Sequence, residues 1–121
     1  MDQRAKRTFM ILVTIRMVMP PERFAEAVKI LVRTAERTWV EPGCDHCRVY
    51  RDAQEAHVLL FEEVWKSDED LDRHLRSDGF RDVLVVTEMA VEPPEIRFST
   101  IARVSGIERA RAARSRTSSF L

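Results

Sequence analysis

Residues 57–75 read His57-Val58-Leu59-Leu60-Phe61-Glu62-Glu63-Val64-Trp65-Lys66-Ser67-Asp68-Glu69-Asp70-Leu71-Asp72-Arg73-His74-Leu75, and two periodicities meet inside them. His57 to Trp65 is apolar on both alternating sets, which suits a strand with both faces covered. At Ser67 the period changes. Ser67 with Asp70 three residues on is a capping box in which Asp replaces the usual Glu, and Leu71 and Leu75 then recur at helical spacing. A strand runs directly into a helix here.

Working upstream, Ala53-Gln54-Glu55 is a short polar turn and residues 44–52 form another strand, so 44–65 reads as an antiparallel hairpin. Glu41-Pro42-Gly43 breaks the chain before it. Pro20-Pro21 opens a helix in which Phe24, Val28, Leu31 and Ala35 make one apolar face. Residues 9–18 are almost continuously apolar and form the first strand. Downstream, Ser77-Asp78-Gly79 interrupts the second helix. Phe80, Val83, Leu84 and Val86 continue it to about Met89, and a last strand spans about Ile96 to Val104. The order β-α-β-β-α-β predicts a ferredoxin-like α+β fold, an antiparallel four-stranded sheet with helices on one face. Ile11, Val13 and Ile15 share one face of the first strand and Met10, Leu12 and Val18 the other. One helical layer covers one face only. A second copy of the sheet is the simplest cover for the other, which predicts a homodimer or a multiple of dimers.

The chain has 121 residues, 45% hydrophobic and 33% charged, with 20 Lys+Arg against 20 Asp+Glu. That length fits one domain. A net charge of zero argues against a dedicated nucleic-acid binder. No apolar run approaches the roughly 20 residues of a membrane span. Two cysteines do not make a disulfide scaffold. Arg4, Lys6 and Arg7 before Phe9–Ile15 superficially resemble a signal peptide. Arg16 and Pro20-Pro21 spoil that pattern, so the expectation is a cytoplasmic protein. Residues 1–8 carry +2 (Arg4, Lys6 and Arg7 against Asp2) and residues 105–121 carry +3 (Arg109, Arg111, Arg114 and Arg116 against Glu108). Basic tails, 1–8 and 105–121, thus flank an acidic domain, 9–104. They are either solvated ends or arms for an acidic face of a partner subunit.

Several side chains carry chemistry. Glu63 shares its strand face with Phe61 and Trp65 and so is a base or hydrogen-bond partner on an apolar face; the bland alternative pairs it with an arginine such as Arg16. Glu62 points the other way. His74, between Leu71 and Leu75, titrates near neutral pH and is a natural general base, or else a buried histidine bonded to a backbone carbonyl. Ser77 reads as a helix cap rather than a nucleophile. Cys44-Asp45-His46-Cys47 has C-x-x-C spacing, but a regular strand would put the two sulfurs on opposite faces, and no second Cys/His pair completes a zinc site.

Glu41-Pro42-Gly43-Cys44, Tyr50-Arg51-Asp52, Glu63-Val64-Trp65-Lys66-Ser67 and Leu71-Asp72-Arg73-His74-Leu75-Arg76-Ser77 with Phe80 together resemble the antibiotic-biosynthesis-monooxygenase-like family of dimeric α+β barrels. The resemblance implies a cofactor-independent monooxygenase that oxidises a quinol- or anthrone-type aromatic with dioxygen, needing neither metal nor organic cofactor. His74 and Glu63 would be catalytic. Trp65, Phe61, Tyr50 and Phe80 would bind a small aromatic substrate. Many relatives carry an aromatic where this chain has Cys47, which alters the pocket. The haem-degrading branch is disfavoured, since Leu84 stands where its iron-ligating histidine falls and Ile15 near its first-strand asparagine. Two other functions stay open. One is a proton-transfer enzyme (an isomerase) for a small carbonyl or phosphorylated signalling compound, with Arg16, Arg48 or Arg97 supplying a cationic cleft. The other is a non-enzymatic ligand-binding dimer, marked by titratable groups locked in ion pairs and no pocket for a ring.

Overall fold

The computed structural model describes residues 8–119, with side chains to residue 116. The elements are β1 (Met10–Val18), α1 (Pro21–Trp39), β2 (Cys44–Arg51), β3 (Val58–Trp65), α2 (Asp68–Leu75), α3 (Asp78–Glu88), β4 (Glu95–Ile101) and α4 (Ile107–Ser119). Each sheet neighbour is antiparallel, in the order β2-β3-β1-β4. This is the expected ferredoxin-like α+β plan. The last strand stops at Ile101, three residues before the predicted end, and residues 107–119 of the predicted tail are helical.

Helices α2 and α3 start where the sequence places a cap. Ser67 Oγ accepts from the Asp70 N–H at 3.2 Å, and Ser77 Oγ accepts from the Phe80 N–H at 3.2 Å, so Ser77 is a cap as expected. Helix α1 has Pro at its first turn and no side-chain cap. Its buried face is Ala27, Leu31, Thr34, Ala35 and Thr38. The predicted stripe was therefore rotated: Leu31 and Ala35 are central, whereas Phe24 and Val28 pack at the margin of the core. Small residues at 27, 34, 35 and 38 bring α1 close to the sheet, an advantage that hydrophobicity alone does not score.

Ile11, Val13, Ile15 and Met17 of β1 and Leu59, Phe61, Glu63 and Trp65 of β3 face the helices, and all are buried. A fully buried side chain of this size contributes about 1.5–3 kcal/mol, so this layer dominates folding. The opposite face carries Met10, Leu12, Val18 and Leu60 half-buried, with Val58 and Val64 beside them. The helices also stop short of β4, leaving Phe98 53% exposed next to Val13.

Two irregularities shape the region around Glu63. Gly43 has φ +84, and a Cβ there would overlap the Asp70 side chain. Its carbonyl accepts from the Lys66 N–H at 2.8 Å, while Arg73 reaches the Pro42 carbonyl at 2.6 Å and Asp70 at 2.9 Å. The 41–43 turn is thereby clamped onto α2. The second irregularity is a bulge between Cys44 and His46. Cys44 pairs with Trp65, His46 with Val64 and Cys47 with Glu63. Asp45 is the extra residue, so Cys44 and Cys47 fall on one face of the sheet rather than on opposite faces as the spacing predicts.

Candidate active site

The middle of the helix-facing layer is polar. Glu63 and His74 are both fully buried, and His74 Nε2 lies 2.8 Å from Glu63 Oε2. The other oxygen of Glu63 accepts from Trp65 Nε1–H at 2.9 Å. On its far side, His74 Nδ1 lies 3.1 Å from Glu41 Oε2. The Glu41 side chain is 28% exposed. A chain of three titratable groups thus runs from a sealed carboxylate, through an imidazole, to a carboxylate at the surface.

Carboxylates only accept, so this order of partners is satisfied when both ring nitrogens carry protons. Burial alone would lower the His74 pKa. The hydrogen bond and charge of Glu63, with the charge and hydrogen bond of Glu41, outweigh it and hold the imidazole above its ordinary value. Trp65 stacks on the ring at 4.7 Å between centroids and Phe80 meets it edge-on at 5.6 Å. An aromatic face over an imidazolium adds attraction to the charged form.

The structure brings Glu63, His74, Trp65 and Phe80 into contact and puts Phe61 two residues from Glu63 on the same face. Tyr50 is elsewhere. It pairs with Leu60 on the opposite face, where its hydroxyl lies 3.4 Å from Glu62. The alternative partner for Glu63 also fails, because Arg16 is on that opposite face and pairs with Glu55 at 3.1 Å. His74 bonds carboxylates and not a backbone carbonyl through its ring. Glu41 is the participant that sequence reasoning missed. Its Glu-Pro-Gly context signalled a chain break, and that hid the carboxylate.

Two clefts lie near this layer. One, about 250 Å³, sits between α1 and β2, lined by Val32, Ala35, Glu36, Trp39, Cys47, Arg48 and Val49. The Arg48 guanidinium lies 4.7 Å over the Trp39 ring. Cys47 is both a wall of this cleft and the cross-strand partner of Glu63. The other cleft, about 490 Å³, lies at the turn end of the hairpin, lined by Arg16, Tyr50, Val58 and Leu60 among others. It is larger. No member of the Glu41–His74–Glu63 chain lines either cleft, but the α1–β2 cleft touches Cys47, the strand partner of Glu63. Both buried members of the chain are locked in pairs, one half of the mark of a non-enzyme. The other half, the lack of a pocket for a ring, is not met, since the α1–β2 cleft of about 250 Å³ has that room. Among the described residues no group of three or more His, Cys, Asp or Glu is placed to hold a metal ion, and no helix is long and apolar enough to cross a membrane.

Comparison with known proteins places this geometry in a family. The protein sll1783 of Synechocystis, described only as uncharacterized, is 29% identical over 83 residues, which are 68% of this chain. The chain spans 56% of that relative's length. A conserved protein from Methanosarcina mazei superposes with a TM-score of 0.70 at 28% identity, covering 76% of this chain and 92% of that one. Rv0793 from Mycobacterium tuberculosis superposes with a TM-score of 0.67 at 21% identity, covering 80% and 97%, and shares the fold. The family model described as antibiotic biosynthesis monooxygenase matches residues 10–93, from the start of β1 to the loop before β4, and the chain belongs to that family.

Proposed function

We propose that the protein is a cofactor-independent monooxygenase that oxidises a quinol-type aromatic with dioxygen. The observation that carries this reading is the buried Glu63–His74–Glu41 chain, which links the interior to the surface through groups able to hold and pass a proton. Deprotonation is the step that such chemistry needs from a protein. A quinol anion is electron-rich enough to reduce dioxygen itself. The balance closes without another reagent: hydroquinone and dioxygen give hydroxyquinone and water.

The α1–β2 cleft supports the reading and narrows it. Its volume of about 250 Å³ falls below the roughly 300–1,000 Å³ of drug-sized ligand sites. It suits one ring better than a fused polycycle of the anthrone type. Trp39 offers a stacking surface, and Arg48 offers a cation where the anion develops. Cys47, smaller than an aromatic, leaves the floor of the cleft next to the Glu63 strand position. In this scheme the quinol hydroxyl proton passes to Glu63, and His74 hands a proton on to Glu41. Glu41 returns the proton to water.

The test is oxygen uptake by dialysed, chelator-treated protein against a panel of one-ring and fused-ring quinols. A one-ring quinol should be turned over at full rate without added metal or flavin. His74→Gln and Glu63→Gln should each slow turnover by about 10²-fold or more, the usual worth of a positioned acid or base. Full activity in both variants would end the proposal. Solvent-proton exchange into a carbonyl substrate without oxygen uptake would favour the isomerase reading instead.

A further inference from the structure

Asp52 fixes the turn that joins β2 to β3. Its Oδ1 accepts from the Gln54 N–H at 2.7 Å and from the Glu55 N–H at 2.9 Å. The Asp52 N–H donates to the Val58 carbonyl at 3.0 Å, and the Met19 N–H donates to the His57 carbonyl at 2.8 Å. Held at both ends, the turn leans over the sheet face that the helices leave open. Val58 belongs to that face, yet it is only 3% exposed. Arg16, opposite Leu60 on the same face, reaches Glu55 in the turn at 3.1 Å. Between turn and sheet lies the cleft of about 490 Å³, lined by Arg16, Tyr50, Ala53, Gln54, Val58 and Leu60 among others. These walls all belong to one chain. The cleft sits at the turn end of the face, away from the Glu62–Thr14–Arg97 row at its centre.

We propose that this cleft binds a small aromatic carboxylate, whose ring lies against Tyr50, Val58 and Leu60 and whose carboxylate replaces Glu55 on Arg16. The volume falls within the range of small-molecule sites. The Tyr50 hydroxyl is engaged by Glu62, 3.4 Å away, which leaves its ring as a wall. Two cations border the cleft, and one is already committed: the Arg51 guanidinium lies 5.1 Å over the Phe24 ring on the helix side. Arg16 is the other. Its side chain is 34% exposed, and that of its partner Glu55 is 63% exposed.

Glu55 shows what this guanidinium takes, a carboxylate presented from above the sheet. A guanidinium matches a carboxylate through two parallel hydrogen bonds. An ion pair between exposed side chains contributes little, so Glu55 is readily displaced. A ligand acid that also carries a ring into the cleft adds apolar burial that Glu55 does not provide. One guanidinium suits one negative charge, so a dianionic phosphate would be under-paired here. The site lies on the opposite face of the sheet from Glu63 and His74 and does not rest on the oxygenase reading.

The full-length protein is titrated calorimetrically with 2-naphthoate, with 2-naphthamide as the neutral counterpart and inorganic phosphate as a small anion. Naphthoate should bind saturably. The amide should bind at least about tenfold more weakly, the usual worth of a hydrogen bond to a charged group. Phosphate at equal concentration should not compete. Arg16→Gln should weaken naphthoate by a similar factor. Glu55→Gln should tighten it by about two- to fivefold, the span of an exposed ion pair, because the internal competitor is gone. Arg48→Gln, in the α1–β2 cleft, should leave naphthoate binding unchanged. The proposal is overturned by equal binding of acid and amide, by unchanged or weaker binding in Glu55→Gln, or by a loss that follows Arg48→Gln and not Arg16→Gln. Absence of naphthoate binding at millimolar concentration overturns it too. Oxygen uptake plays no part in these readouts, so failure here is separable from failure of the oxygenase reading.

Discussion

His74 holds apart, and together, two acids that would otherwise face one another. Removing it as His74→Ala leaves Glu63 buried without its cation and should cost about 3–5 kcal/mol, the range for breaking a buried pair from one side; urea unfolding measures it. The pH dependence has a definite sign. The folded-state pKa of His74 is raised above its ordinary value. Its contribution is complete below the unfolded pKa of about 6.5 and is lost as pH rises through the higher folded value. Wild type should therefore lose stability from pH 6.5 upward more steeply than His74→Gln, and parallel curves would contradict the charged-imidazole assignment. Two of the three residues in this chain were legible from the strand alternation around Glu63 and the helical stripe around His74. The third was not. Glu41 lies 33 residues from His74, and nothing local in a Pro-Gly turn announces a contact made by folding.

At the level of elements, the 41–43 turn decides where Glu41 sits. Gly43 combines a left-handed φ with a backbone pressed against Asp70. Gly43→Ala should cost about 1–3 kcal/mol for backbone strain, plus whatever displacement of Asp70 adds, and calorimetry would show it as a lower Tm. Element order was readable because hydrophobic period switches cleanly from two to 3.6 at Ser67 and at Pro20-Pro21. Two details were not readable. The rotation of α1 depends on Thr34 and Thr38 sharing a close approach to the sheet, and hydrophobic spacing scores threonine as neutral. The bulge depends on Asp45 in a strand whose own alternation is too polar to reveal an extra residue. The face shared by Cys44 and Cys47 was misread for that reason.

For the molecule as a whole, the uncovered sheet face is the surface on which assembly turns. Met10, Leu12, Val18 and Leu60 lie on it, and the cross-strand row Glu62–Thr14–Arg97 crosses its centre, with Arg16 beside it. A homodimer joined through this face is the proposed assembly. Sedimentation at low micromolar concentration should then return about twice the 14.1 kDa chain mass. Adjacent residues of β3 separate the two faces: Leu59 is fully buried under the helices, and Leu60 is half-buried on the open side. Leu60→Asp should give a folded protein of half the assembled mass, whereas Leu59→Asp should not fold. A wild-type monomer at that concentration would remove the dimer.

The chain has two tryptophans. Trp39 is 40% exposed, and Trp65 is buried against the His74 ring. An imidazolium in stacking contact quenches indole emission far more than a neutral imidazole does. In a Trp39→Phe background, the remaining emission should be blue-shifted and dim at pH 6. It should brighten as alkali strips the proton from His74, before the fold is lost. The stack is thus a built-in optical gauge of the ring's charge, readable in a cuvette without isotopes or substrate. A flat intensity across that titration would mean that the ring never changes its charge while folded.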